Sequence, residues 1–287
     1  MAILNCIFTS DLHGDRKKYN ALFKVIKEKG PDGVFLGGDL FPPALGGKHD
    51  IESFLKVFLR EKLEDVNETL GGNVEFFVIM GNDDPKKYQT ILETMSESDL
   101  MNYIHMRTVK FGDLHVAGYS YIPPSPFRLK DWERYDVSRH VDVGAVSPEE
   151  GMRTAEMNEY DKKYQTIKKD LKEMVNISPP EKTIYLFHSP PYNTNLDRAD
   201  LDDEMIDHAP LDVHVGSIAI KRFIEEKKPF ITLHGHVHET VEMTGEWSER
   251  FHSTFSFTGV HKGPELCFIQ FDTEEPENAE RKLVSSG

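Results

Sequence analysis

The stretch AILNCIFTSDLHGD, residues 2–15, is an apolar run that ends abruptly at Asp11 and His13. Its nearly continuous β-prone residues predict a strand buried on both faces of a sheet. In open α/β sheets, ligands collect beyond the carboxyl ends of strands, where loops hold polar side chains without burying them unpaired. Asp11 and His13 are therefore candidate ligand-binding residues, although a capped helix start or a turn would explain this pair by itself.

Four later apolar runs end in the same kinds of side chain as the first. The polar residues that follow them are Asp39, Asn82, His188 and the pair His236 and His238. Strands of one sheet bring such ends within reach of each other, so five coincidences are difficult to explain as core histidines or helix caps. Asp, Asn and His form an oxygen and nitrogen ligand set without sulfur, which suits manganese, iron or zinc better than calcium or magnesium. Seven groups are too many for one ion, so two ions that share one carboxylate are expected.

Helical periodicity between the first three apolar runs predicts an α/β fold. A hairpin at 106–121 interrupts the parallel alternation, so the sheet is expected to be mixed. Residues 148–175 are expected to form a charged helix. The runs at 255–260 and 266–271 are expected to pair as a terminal antiparallel hairpin.

The chain is expected to form one domain over residues 1–272, followed by a polar, disordered tail at 273–287. Residues 121–178 begin with a segment rich in Pro, Arg and aromatic side chains, and they are expected to be an inserted, cap-like excursion. Its basic side chains are candidate substrate-binding residues that would grip phosphate. A cap whose aromatic residues, such as Trp132, merely pack is the alternative. The candidates are Arg128, Lys130, Arg139 and His140.

The formal net charge of −15 argues against an extensive nucleic-acid surface, because such surfaces carry clustered Lys and Arg. Cys6 and Cys267 lie in apolar runs without CxxC spacing, which indicates free core thiols in a reducing compartment. A run of about 18 apolar residues, long enough to span a membrane, is absent from the sequence. A cytoplasmic location without membrane association is therefore expected, and homo-oligomerisation stays open.

The motifs together resemble those of the calcineurin-like metallophosphoesterase superfamily. They are DxH (Asp11, His13), GD (Gly38, Asp39), GN (Gly81, Asn82), the lone His188 and GHxH (Gly235, His236, His238). The resemblance implies an α/β fold, a four-layer α/β/β/α sandwich of two mixed sheets with flanking helices and a dinuclear centre at one edge. It also implies that Asp39 bridges two divalent transition-metal ions. The first ion would be bound by Asp11, His13 and His238, and the second by Asn82, His188 and His236.

One position departs from the family pattern. The third motif is commonly GNH followed by an acid, and its His protonates the leaving oxygen, whereas GNDDP places Asp83 there. Asp83 is predicted either to replace that proton donor or to filter substrates; the alternative is a loop residue that caps a helix near Pro85. Asp84 matches the acidic position, which in the family supports its neighbour by a hydrogen bond. Both aspartates are therefore candidate catalytic residues.

The resemblance implies hydrolysis of a phosphoester by a hydroxide that bridges the two ions, with manganese or iron expected ahead of zinc. Because a carboxylate at position 83 repels a dianionic monoester, phosphodiesters are the expected preference. The expected substrate is a small phosphoester or nucleotide-type molecule. One alternative is a phosphatase that acts on phosphoproteins or small phosphomonoesters. A phosphoprotein phosphatase would require a cleft that is open enough for a peptide. The other is a non-catalytic metal-binding scaffold, against which the full ligand set argues.

Overall fold

The structure is a computed structural model that describes residues 3–43 and 50–286. Its strands are, in chain order, β1 (Asn5–Thr9), β2 (Gly33–Gly37), β3 (Glu75–Ile79), β4 (Asn102–Tyr103), β5 (Thr108–Phe111), β6 (Leu114–Tyr119), β7 (Thr183–Phe187), β8 (Met205–Ile206), β9 (Ala209–Pro210), β10 (Ile231–His234), β11 (Ser248–Phe251), β12 (Thr254–Thr258), β13 (Leu266–Asp272) and β14 (Glu280–Val284). The α-helices are α1 (Arg16–Lys29), α2 (Ile51–Ser53), α3 (Arg60–Leu70), α4 (Gln89–Glu97), α5 (Glu159–Tyr164), α6 (Ile167–Met174), α7 (Ile218–Lys227) and α8 (Thr240–Thr244). A π-helical segment, Phe54–Leu59, joins α2 to α3.

The strands form two mixed sheets of six strands each and one small two-stranded ribbon, β8 with β9. The first sheet has the order β14-β13-β1-β2-β3-β4, and its four strands from β1 to β4 run parallel. The second has the order β11-β12-β10-β7-β6-β5, with β12, β10, β7 and β6 parallel. The antiparallel pair β5 and β6 confirms the predicted hairpin.

Alternate side chains of the central strands enter two different cores. Phe8 and Phe35 point between the sheets, whereas Ile7 and Val34 join the core beneath the helices. This alternation explains why the strands read as continuous apolar runs, since both faces of each strand are buried. Helices thus cover the outer faces of two packed sheets, which confirms the α/β/β/α sandwich. None of the described helices is both long and apolar enough to cross a membrane.

The helix α1 shows how the loop after β1 is held in place. The side chain of Asp15 accepts hydrogen bonds from the backbone N–H groups of Lys17 and Lys18, which begins the helix. The helix buries Tyr19 and Phe23, and it ends at Gly30 in the left-handed conformation. The polar loop that precedes α1 is therefore fixed at both of its ends.

Two predictions of secondary structure are wrong. Residues 148–175 do not form one helix, because the extended backbone of Gln165 ends α5 and the side chain of Thr166 starts α6. The runs at 255–260 and 266–271 do not pair with each other either. They belong to different sheets, with β12 beside β10 and β11, and β13 beside β1 and β14. An apolar pattern predicts a buried strand but does not identify its partner.

The expectation of a disordered tail at 273–287 is also corrected. Residues 280–284 form β14, which pairs antiparallel with β13 from Gln270 and Glu280 to Leu266 and Val284. The tail is polar because β14 is a partly exposed edge strand. The strand is ordered by backbone hydrogen bonds rather than by burial of apolar side chains. Amino-acid composition does not reveal such backbone pairing.

Candidate metal centre

The candidate ligand residues meet at one edge of the sandwich, where strands of both sheets end. The Nδ1 atom of His188, after β7, lies 2.8 Å from the carbonyl oxygen of Gly37 in β2. The backbone N–H of His236, after β10, donates to the carboxylate of Asp11 at 3.2 Å. The sequence pattern predicts that the strands of one sheet bring these residues together. The structure shows instead that the first sheet supplies one half and the second sheet supplies the other.

The loops that carry these residues are locked to each other by backbone hydrogen bonds. The N–H of Asp11 donates to the carbonyl of Gly38 at 3.0 Å, and the N–H of His13 donates to the carbonyl of Asp39 at 2.8 Å. Four of the candidate residues adopt the left-handed backbone conformation, which is costly for residues other than glycine and concentrates at functional sites. They are Asp11, His13, Asp39 and His236, with φ of 57°, 44°, 51° and 79°.

The first cluster consists of Asp11, His13, Asp39 and His238, each of which has a ligand-type atom within 4.8 Å of those of the others. The Nε2 atoms of His13 and His238 lie 3.1 Å apart, and His238 Nε2 is 3.1 Å from Asp11 Oδ1. Two ring nitrogens that face each other beside a carboxylate require either a shared proton or a cation between them.

The second cluster consists of Asp39, His188 and His236, so Asp39 belongs to both clusters. His188 Nε2 lies 3.3 Å from Asp39 Oδ2 and 3.0 Å from Asn82 Oδ1. The hydrogen bond from His188 Nδ1 to a backbone carbonyl fixes the ring and directs Nε2 toward the cluster. Asn82 thereby joins the second cluster through its amide oxygen.

The carboxylates and histidines shift the pKa values of each other. Burial alone would lower the pKa of His238, but its hydrogen bond to Asp11 and the charge of that carboxylate raise the pKa to about 9. Burial would also lower the pKa of His188, but the charge of Asp39 and its hydrogen bond to the ring raise that pKa to about 10. Burial and the charge of His188 lower the pKa of His236 to about 4, so its ring is neutral and keeps a free lone pair.

The donor set fits divalent transition-metal ions. Carboxylate oxygens, one amide oxygen and imidazole nitrogens converge without sulfur, and the two aspartates are almost fully buried. The strong interaction of Asp11 and Asp39 with protonated histidines marks two places where positive charge is stabilised. Metal cations in these places would substitute for the protons.

The match to a known family supports this interpretation of the clusters. The sequence profile of the calcineurin-like phosphoesterases matches residues 4–240. The chain belongs to this family. Members of the family bind divalent metal ions and hydrolyse phosphoesters. As a member of the family, the chain is a metal-binding phosphoester hydrolase.

Other proteins of known structure share the fold of this chain, although their sequence identity to it is low. One crystal structure has 16% identity and a TM-score of 0.61, and the match covers 99% of this chain and 100% of that chain. The protein TT1561 of Thermus thermophilus has 15% identity and a TM-score of 0.56, with the same coverage. A search of curated proteins found no match.

The glycines of the family motifs allow the ligand loops to approach each other. A Cβ atom on Gly81 would lie 2.3 Å from Asp39 Oδ1, and one on Gly235 would lie 2.1 Å from the hydroxyl of Ser10. Both distances are far below van der Waals contact, so any other residue at these positions would displace the neighbouring ligand loop.

Asp84 has a different role from the catalytic one expected from its motif position. Its side chain is fully buried, and it accepts hydrogen bonds from the backbone N–H groups of Leu40, Phe41 and Gly81 at 2.8 to 3.1 Å. The expectation that Asp84 takes part in catalysis is therefore wrong, since a carboxylate enclosed by backbone cannot contact substrate. It ties the loop that carries Asp39 to the loop that carries Asn82.

Asp83 lies at the open side of the two clusters. Its backbone N–H donates to Asp39 Oδ1 at 2.7 Å, and its Oδ1 accepts from the amide of Asn82 at 3.0 Å. Its Oδ2 is 3.8 Å from His13 Nδ1, and about half of the side chain is exposed. Burial and the charge of Asp39 raise its pKa to about 6, which leaves it ionised at neutral pH. The following turn, Lys86–Tyr88, has no side-chain cap, so the capping alternative is wrong.

The expectation that Lys130 binds substrate is wrong, because its side chain is buried. Its ammonium group is fully buried, lies 2.6 Å from Glu133 Oε2 and donates to the carbonyl of Ser125 at 2.8 Å. Removing a paired charge from this interior to bind a ligand would leave Glu133 unpaired, which is strongly unfavourable. The neighbouring Trp132 is also buried, and its Nε1–H donates to the backbone carbonyl of Asp84 at 2.8 Å. This part of the predicted excursion therefore packs against the ligand loops.

The other candidate substrate-binding residues are all exposed. Arg139 pairs with Glu149 at 2.8 Å, whereas Arg128 makes no ion pair within the described part of the chain. A cavity of about 460 Å³ adjoins the clusters and is lined by Asp39, Asn82, Asp83, His236 and His238. Of the four candidates, only His140 lines this cavity.

Sequence reasoning missed the residues that form the far walls of this cavity. They lie in the predicted excursion and in the loop between β7 and α7, and they include Val143, Leu201, Ile206 and Leu211. The available signal was the presence of apolar residues within an acidic, loop-like stretch. Such residues are usually taken as incidental, because single exposed apolar side chains are common.

Proposed function

We propose that this protein hydrolyses phosphoesters at a dinuclear metal centre, with phosphodiesters as the preferred substrates. The observation that carries the proposal is that Asp39 belongs to both clusters, since a shared carboxylate is what two adjacent ions require. Manganese or iron is proposed on the chemistry of the donors, with zinc as an alternative. One ion would be held by Asp11, His13 and His238 and the other by Asn82, His188 and His236, with Asp39 bound to both.

The residues of this chain prepare the site for an anionic substrate. When bound, the two ions would neutralise charge on the phosphoryl oxygens and lower the pKa of a water molecule. Asn82 contributes an uncharged oxygen, so the site keeps more positive charge than an aspartate would leave. The hydrogen bond of His188 to Gly37 and the left-handed loop conformations hold the ligands in place before substrate arrives. This local charge counteracts the overall negative charge of the protein.

Metal analysis combined with activity tests the proposal. We expect protein stripped with a chelator and reloaded with manganese to bind two ions per chain and to hydrolyse bis(p-nitrophenyl) phosphate. The variant His188→Ala should lose one ion and nearly all activity, because it removes a ligand of one ion only. The control His252→Ala changes an exposed histidine, and this variant should retain two bound ions and wild-type activity. A wild-type protein that binds one ion would contradict the dinuclear centre, and two bound ions without hydrolysis would indicate a scaffold.

The position of Asp83 supports the preference for phosphodiesters. Its carboxylate lines the cavity beside the clusters, where it repels a dianionic monoester more strongly than a monoanionic diester. Two unit charges about 5 Å apart interact by roughly 3 kcal/mol at an effective dielectric of about 20, which is sufficient to select substrates. Two metal ions bound beside Asp83 would lower the pKa of its carboxyl group, which would then be a poor substitute for a histidine proton donor.

Substituting Asp83 tests this preference. We expect the wild-type protein to have a higher kcat/KM for bis(p-nitrophenyl) phosphate than for p-nitrophenyl phosphate, two substrates with one leaving group. Asp83→Asn should shift the ratio toward the monoester by about tenfold, because it removes the charge with little change of shape. Asp83→His should shift it further by also restoring a proton donor. Unchanged ratios in both variants would show that Asp83 does not select substrate.

A cytoplasmic location is proposed on the state of the cysteines. Cys6 and Cys267 are both free and buried in the sheets. Free core thiols are typical of proteins that fold in a reducing compartment.

A further inference from the structure

The cavity beside the candidate metal centre has largely apolar walls. One wall comes from residues 123–127 and 136–145, and the opposite wall comes from residues 199–216. The walls touch at Gly144, where a Cβ atom would lie 2.9 Å from the side chain of Ile206 and 3.1 Å from that of Leu211. The cavity thus lies between these two segments and adjoins the clusters.

A second phosphate would find no unpaired cation among the described residues of the cavity walls. The wall histidines, His140 and His214, lie 3.3 Å from Asp142 Oδ1 and 2.8 Å from Asp197 Oδ1. No lysine or arginine is found among the described residues that line it. Two further cations of the excursion are paired elsewhere, Lys130 with Glu133 and Arg134 with Asp170, at 2.6 Å in both cases. Arg128 and Arg139 do not line the cavity. A phosphate group that entered the cavity beyond the metal centre would therefore lose water without gaining a cation.

The acidic residues on the walls increase this discrimination. Asp136 accepts hydrogen bonds from the backbone N–H groups at the start of α7 and from the hydroxyl of Ser217. Asp212 accepts a hydrogen bond from the hydroxyl of Tyr192 at 2.7 Å. Both carboxylates line the cavity, and their partners are uncharged, so their negative charge is not neutralised by an ion pair. A second anionic group on the substrate would be repelled.

We infer that the preferred phosphodiester contains a single phosphorus centre and at least one apolar alcohol group, and that the cavity selects against a second phosphate such as that of a nucleoside diphosphate. This inference rests on the proposed function, because it takes the clusters as the place where the phosphoryl group binds. Apolar groups of the alcohol displace water from the walls formed by Val143, Ile206 and Leu211. Nucleotides with two or more phosphate groups are therefore not expected to be substrates.

Binding of two stable phosphonates tests the inference without any hydrolysis. Pentylphosphonate and butane-1,4-diyl bisphosphonate differ only in whether a methyl group or a second phosphonate ends the carbon chain. We expect calorimetric titration of the manganese-loaded protein to give pentylphosphonate a Kd lower by about tenfold or more. Equal affinities, or tighter binding of the bisphosphonate, would overturn the inference.

A matched pair of variants assigns the selectivity to the cavity. Val143 lines the cavity and Val57 lies outside it, and the two side chains are each 50% exposed. Val143→Arg should reduce the preference for pentylphosphonate by about fivefold or more, because it places a cation in the wall. Val57→Arg should leave the preference unchanged. A preference that is equal in both variants would contradict the role of the cavity.

The outcome separates this inference from the proposed function. Hydrolysis of bis(p-nitrophenyl) phosphate without any preference between the phosphonates would refute the inference and leave the proposed function standing. A clear preference for pentylphosphonate that Val143→Arg reduces, in a protein that hydrolyses no phosphoester, would support the cavity selectivity and refute the catalytic proposal.

Discussion

Replacing Asp39 with asparagine is expected to lower kcat/KM for phosphodiester hydrolysis by about a thousandfold or more. Among the described residues, Asp39 alone belongs to both clusters, so in the proposed dinuclear centre its loss would affect both ions rather than one. Asparagine keeps the shape of the side chain but removes the negative charge, and its single amide oxygen cannot replace both carboxylate oxygens. The activity should be measured at saturating manganese, together with the metal content of each protein.

The control for this experiment is Asp65→Asn, which neutralises an exposed aspartate that pairs with Lys27 on the helices. It should change neither activity nor metal content, because exposed ion pairs contribute little. Both variants should keep the circular dichroism spectrum of the wild-type protein. An Asp39→Asn enzyme within about tenfold of wild-type activity at full metal loading would rule out a bridging role.

Replacing Asp84 with alanine is expected to lower the free energy of unfolding by about 3 kcal/mol or more. The substitution leaves the backbone N–H groups of Leu40, Phe41 and Gly81 buried without their acceptor. Each orphaned group costs about 1 to 3 kcal/mol, and the two loops lose the side chain that joins them. Urea denaturation of the wild-type protein and the variant would measure the difference.

The neighbouring residue provides a control with the same chemistry. Asp83→Ala removes a half-exposed carboxylate and should change the free energy of unfolding by less than about 1 kcal/mol. Asp84→Asn should fall between the two, since it keeps one acceptor oxygen. Equal stabilities of Asp83→Ala and Asp84→Ala would show that the buried hydrogen bonds of Asp84 do not hold the loops together.

The strands and the candidate ligands were largely predictable from local pattern. A run such as GVFLGG followed by Asp39 identifies a buried strand and a polar residue at its end, because burial on both faces leaves only apolar residues in between. The same reasoning worked at His188, which follows the fully buried strand β7. These predictions required only the residue types and their order.

Predictions that depended on a distant partner were less successful. The role of Asp84 was predicted from its motif position, but its side chain accepts hydrogen bonds from backbone N–H groups that are remote in sequence, those of Leu40 and Phe41. The partner of Lys130 lies only three residues away, but the burial of the pair depends on the tertiary structure. The pairing of β12 and β13 failed for the same reason, because hydrogen-bond partners of a strand are chosen by the whole sheet. Backbone strain at Asp11 and Asp39 left no signal in the residue types.

The sequence by itself determined the α/β class, the strands and the set of candidate metal-ligand residues at their ends. These properties depend on periodicity and side-chain chemistry, which are local. Only the tertiary structure decided that two sheets share the site, that Asp84 ties the ligand loops together and that the excursion presents apolar side chains rather than its cations. Those outcomes depend on which groups pack against each other across the fold. A buried charge is stable only beside its partner, and the partner is brought there by folding.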